Sequence, residues 1–123
     1  MKRLIALFVV IGIAASVGFG SVSLRRPASM IEASLLGIAP IGTLKDEVVR
    51  AIEKKGWTHS ALRDTGFTKQ ASSHPMEIVG KKSIEAHLGE YGLFLKTSVD
   101  AFWGFDEDGK LLGVWVWKTT DAP

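Results

Sequence analysis

No cysteine occurs among the 123 residues. That excludes disulfides, thiol nucleophiles, cysteine-ligated metals and lipidation at an N-terminal cysteine. Histidine is scarce: His59, His74 and His87 stand alone, and none of them lies at metal-ligand helical spacing from another. A glycine-rich phosphate loop and a nucleophile elbow are both missing, and Ser72-Ser73-His74 is a run of loop neighbours rather than a triad. Asp106-x-Asp108-Gly109 lacks the further oxygen ligands and distal glutamate of a calcium loop, since Leu111-Leu112-Gly113 follow. There is no basic stripe with interleaved aromatics, which argues against a nucleic-acid partner. The net charge of +2 comes from Lys2 and Arg3; without them 13 basic residues balance 13 acidic ones. These absences point away from an enzyme, a metal or a cofactor, and name no catalytic residue.

What is present starts with a long apolar run. Leu4 to Leu24 carries no charge and follows Met1-Lys2-Arg3. A positive start, the apolar stretch LIALFVVIGIAA and then small residues make a signal segment. Ser16, Gly20 and Ser23 each fit a cleavage position, with a small residue two places before. Uncleaved, the run is just long enough to span a core of ~30 Å at ~1.5 Å per residue. Residues 1–24 are thus a signal peptide or a signal-anchor helix, and both readings stay open. Either one puts residues 25–123, a single small domain, outside the cytoplasm, periplasmic or secreted, with possible tethering to the inner membrane.

Within that domain, Ser29 stands three residues before Glu32, a capping-box spacing, and Gly37 stops a short helix. Pro40-Ile41-Gly42 turns the chain. Thr43 is then the expected N-cap of a helix over 44–55, with Asp46 and Glu47 in its first turn and Leu44, Val48, Ala51 and Ile52 on one face. Gly56 is the expected left-handed terminator, with Trp57 lying back on Ile52. Residues 58–75 read as a polar loop containing a turn at Asp64-Thr65-Gly66 and a core-seeking Phe67. Alternation of Ile84, Ala86 and Leu88 predicts a strand over 82–88, with a turn at Gly89-Glu90-Tyr91-Gly92.

The closing stretch, Val99 to Lys118, holds three of the four tryptophans and predicts a hairpin around Asp106-Glu107-Asp108-Gly109. A regular register sets Phe105 opposite Leu111, Trp103 opposite Gly113, Ala101 opposite Trp115 and Val99 opposite Trp117. One face is then aromatic and turned to the core. The other carries Asp100, Phe102, Gly104, Leu112, Val114 and Val116. The expected architecture is α+β: one or two N-terminal helices packed on a three-stranded antiparallel β-meander.

Pro40-Ile41-Gly42-Thr43-Leu44-Lys45-Asp46-Glu47-Val48 and Trp103-Gly104-Phe105-Asp106-Glu107-Asp108-Gly109-Lys110-Leu111 resemble the helix entry and closing hairpin of the SmpA/OmlA (BamE-like) extracytoplasmic domains. The resemblance spans roughly residues 38 to 118. It implies two helices before a three-stranded sheet and a binding or scaffold role at the bacterial envelope. Assembly factors of that family carry a lipidated cysteine after the signal segment, which this chain lacks. The small fold is also similar to β-lactamase-inhibitor-type repeats, again binding modules.

The expected function is therefore a non-enzymatic envelope module with a protein partner, docked on Phe102, Leu112, Val114 and Val116, whose clustering on one face would form an apolar patch. The alternative is a small-molecule-binding protein or hydrolase-like enzyme, which needs His59, His74 or His87 to meet Asp64 or Asp100 in one cleft.

Overall fold

The computed structural model describes residues 22–71 and 74–121. Among these, two helices precede six strands: α1 (Ala28–Ile38), α2 (Lys45–Lys54), β1 (Thr58–His59), β2 (Phe67–Ala71), β3 (His74–Val79), β4 (Lys82–Tyr91), β5 (Thr97–Phe105) and β6 (Leu111–Thr120). The α+β class with an antiparallel sheet is as expected, but the strand count is not. The main sheet has four strands in the order β1-β4-β5-β6, and β2 and β3 form a separate two-stranded sheet. The segment read as a loop over 58–75 thus supplies β1, β2 and the start of β3. The Ser72-Ser73 step lies outside the described residues, as does the apolar run up to residue 21. No helix among the described residues is long and apolar enough to cross a membrane.

Both helices cover one face of the sheet. Ile31 and Leu35 of α1 and Val48 and Ile52 of α2 are buried against Ile84, Ala86, Val99, Ala101, Trp103, Phe105, Leu111 and Val116. The α2 C-terminus closes as its sequence predicts. Gly56 is left-handed, its N–H bonds the Glu53 carbonyl at 3.0 Å, and the Trp57 N–H reaches Ile52 at 3.3 Å.

The helix N-termini differ from expectation. Leu44, not Thr43, is the N-cap of α2, and no side chain caps it. The backbone there is held by the hairpin instead: the Lys45 N–H donates to Gly109, Gly42 to Leu111, and Leu111 to Thr43, each at 2.8 Å. Leu44 consequently forms a bridge with Lys110 and is exposed rather than in the apolar stripe. At α1 the N-cap is Pro27, without a side-chain bond. Glu32 does not turn back to Ser29; its Oε2 accepts the Val116 N–H at 2.9 Å. That N–H belongs to β6, the outermost strand of its sheet. A carboxylate on an edge N–H removes one of the groups through which edges pair with other chains.

Strand β4 runs on through the expected turn to Tyr91 by way of an irregularity between His87 and Gly89. The Asp106–Lys110 turn closes as predicted, with Asp106 Oδ1 accepting the N–H groups of Asp108 and Lys110 at 2.9 Å each. That acceptor role gives Asp106 a full structural use inside its own turn. Beyond the turn the predicted register is overturned. Phe105 faces Leu111 as expected, but Leu112 bulges out and Gly104 then faces Gly113. From there every pair is shifted: Trp103 faces Val114, Phe102 faces Trp115, Ala101 faces Val116 and Asp100 faces Trp117. One extra residue moves the rest of a strand to the opposite face.

Candidate functional site

The bulge decides which face of the hairpin is free. Val116, placed on the free face by the regular register, is 3 % exposed and belongs to the core. Val114 packs against that core from its margin. Leu112 is the bulged residue and is exposed, beside a shallow groove lined by Ile78, Gly80, Lys81 and the Asp106–Asp108 turn. Of the four expected docking residues only Phe102 lies on the outer face of the sheet, half-buried; the structure does not bring the four together.

In their place stand Trp115 and Trp117, the indoles that the regular register turns inward. The rings of Phe67, Phe102, Trp115 and Trp117 form a continuous ladder across the outer face. Phe67 and Trp115 stack at 6.2 Å with 10° between planes, Phe102 lies 5.3 Å from Trp115, and Trp117 lies 5.3 Å from Trp115. Ring pairs at such separations are attractive beyond their apolar burial. Phe67, from β2, is buried and closes the end of the ladder. Its seat exists because Gly104 has no side chain: a Cβ there would stand 2.9 Å from the Phe67 ring and 2.8 Å from the Val79 carbonyl. The ladder opens progressively away from β2, and Trp117 is 42 % exposed.

Polar pairs border the rings. Cross-strand neighbours give a row His87, Asp100, Trp117 and a row Glu85, Phe102, Trp115. His87 Nδ1 donates to Asp100 Oδ1 at 2.8 Å, and Arg63 reaches Glu85 at 3.1 Å. So one expected His–carboxylate pair, His87 with Asp100, does form. It lies on an open sheet surface, and both side chains are in contact with solvent.

The other candidates lie apart. Asp64 is exposed in the segment before β2, and the side chain of His74 lies outside the described residues. His59 is on β1, where its ring lies between Ser60 and Glu53 of α2. Nδ1 donates to the Ser60 carbonyl at 2.7 Å and Nε2 to Glu53 Oε2 at 3.1 Å. The carbonyl bond first, and then the Glu53 hydrogen bond, raise its pKa above the ordinary 6.5; burial opposes them less strongly, and the Glu53 charge adds the smallest upward effect.

Sequence patterning hid the ladder for a plain reason. In Val114-Trp115-Val116-Trp117 both alternating sets are apolar, so hydrophobicity alone does not choose the inward one. One signal was present, the glycines at 104 and 113, which face each other only in the bulged register. Lys118 pointed the other way, since alternation sets it on one face with Val114 and Val116 and so favours turning that face to solvent. Comparison of the chain with family models, with curated proteins and with solved structures gave no match.

Proposed function

We infer that this chain is a non-catalytic binding or scaffold module of the bacterial cell envelope, and that it docks a protein partner on the outer sheet face through Phe102, Trp115 and Trp117. The observation that carries this reading is the indole ladder: the inner face is covered by two helices, while Trp117 and part of Trp115 remain open on the other. Large aromatics packed together and rimmed by polar pairs, here His87–Asp100 and Arg63–Glu85, are the composition of an interaction hot spot. The signal segment at residues 1–24 supports the location, and the SmpA/OmlA resemblance supports the class.

A photo-crosslinking residue at Trp117 in the full chain, expressed in cells, tests the reading. The expected result is a discrete adduct with an envelope protein, lost when Phe102 and Trp115 are replaced by alanine. Adducts that survive those replacements, or none at all, overturn it. The His87–Asp100 hydrogen bond motivates the second reading, a small-molecule or hydrolase-like site. His87→Ala separates the two: it removes such an activity while leaving the Trp117 adduct in place.

A further inference from the structure

The β4–β5 connection carries the most exposed apolar side chains among the described residues. Leu93 is 90 % accessible and Phe94 96 %, and exposed Leu95 follows. The connection is tightly wound: a Cβ on Gly92 would stand 2.3 Å from the Leu95 carbonyl oxygen. The strands behind it are fastened by the Thr97 and Thr120 hydroxyls at 2.9 Å and by the Asp121 N–H on the Lys96 carbonyl at 2.9 Å. Leu93 and Phe94 are therefore presented on a braced support.

Three further features share this end of the sheet. The chain arrives here from its apolar run: Val22 and Leu24 pack at the margin of the core, and Leu24 Cδ1 lies 2.8 Å from where a Gly89 Cβ would stand. Cations gather here as well. The Arg25 guanidinium lies 4.9 Å from the centre of the Tyr91 ring and the Lys118 ammonium 5.1 Å from it. Lys118 also donates to the Tyr91 hydroxyl at 3.1 Å and to the Arg26 carbonyl at 2.6 Å. With exposed Lys96, four cations (Arg25, Arg26, Lys96, Lys118) stand against Glu90 and Asp121. Tyr91 itself is of the residue type that settles at a membrane–water boundary.

We propose that Leu93, Phe94 and Leu95 insert into the headgroup–acyl boundary of an anionic bilayer, with Arg25, Arg26, Lys96 and Lys118 on its lipid phosphates. Exposed apolar side chains beside a group of cations match the two attractions such a surface offers, apolar burial and negative potential. A protein partner suits this tip less well, because a stable interface needs about 800 Å² from each side and a short projecting loop offers far less. The bilayer is the one that residues 4–24 would enter as an uncleaved anchor; only that identification rests on the envelope reading.

The absence of cysteine allows a direct test. Single cysteines replacing Phe94, Glu107 at the opposite end, and Ile13 in the apolar run are labelled with a polarity-sensitive fluorophore. Each full chain is reconstituted into vesicles of phosphatidylcholine and phosphatidylserine. The label at 94 is expected to shift to the blue and be quenched by lipids carrying a nitroxide near the headgroup, while the label at 107 stays water-like. Lys96→Glu is expected to weaken that quenching, as a cation at an anionic surface is worth about fivefold in partitioning. A lipid-quenched label at 13 with a water-like label at 94 overturns the proposal and leaves the anchor reading standing. Water-like labels at both positions overturn both. A blue shift at 94 that lipid nitroxides do not quench marks a second protein chain, and also overturns it.

Discussion

Glu32 joins α1 to the far edge of the sheet through a single acceptor atom. Its spacing from Ser29 suggests a local capping box, but its partner is the Val116 N–H, 84 residues away. Local sequence cannot reveal such a partner, because the choice is made by where α1 comes to lie. Glu32→Ala leaves the half-buried N–H without its acceptor and is expected to cost about 1–3 kcal/mol. Glu32→Gln keeps a carbonyl oxygen and should restore a good part of that. Urea midpoints read by tryptophan fluorescence measure both; equal losses in the two variants would show that the bond contributes little. His59 makes a pH prediction. The folded ring holds its proton more tightly than the unfolded one, because Ser60 and Glu53 both accept from it. Its stabilisation is therefore complete below about 6.5 and is lost as pH rises through the raised folded value. The urea midpoint should fall across that interval, and Glu53→Gln should flatten the fall.

At the scale of elements, the readable parts of this fold were those whose signals are local. Helix α2 was legible from its apolar stripe and from Gly56, strand β4 from its alternation, and the hairpin turn from Asp106 to Gly109. The lost parts depend on contacts distant in sequence. Strands β1, β2 and β3 are short or polar, and gain their strand character from pairing with β4 or with each other and from Phe67 settling over Gly104. The bulge at Leu112 was the costliest omission, since it turned Val114 and Val116 inward and Trp115 and Trp117 outward. It also yields a counterintuitive expectation. Removing Leu112 joins Leu111 to Gly113 and leaves every other pair and face unchanged. The deletion should therefore fold, keep the near-ultraviolet circular dichroism of its tryptophans, and lose less stability than Trp103→Ala. That substitution empties a buried indole site and is expected to cost about 3–5 kcal/mol. A deletion variant that fails to fold would refute the bulged pairing.

For the whole molecule, the indole ladder and the Leu93–Leu95 loop set one another's geometry. The lipid-facing loop sits at one end of β5, and nine residues at ~3.3 Å each place the Asp106–Lys110 turn about 30 Å beyond it. Asp100, opposite Trp117, is only three residues from Thr97 at the loop end, or about 10 Å. A bilayer at Leu93 and Phe94 thus puts Trp117 in the layer of space just above the headgroups, and the Leu112 groove much farther out. The partner of the indole ladder then has to present its own surface close to the membrane. A crosslinker at Trp117 in the full chain is expected to capture a membrane-associated protein, whereas one at Glu107 should not. Phe94→Asp leaves every residue of the ladder in place but weakens the hold on lipid. If the loop fixes the domain's orientation, that substitution lowers the yield of the Trp117 adduct without moving the urea midpoint. An unchanged yield would mean that the ladder finds its partner independently of how the sheet stands on the bilayer.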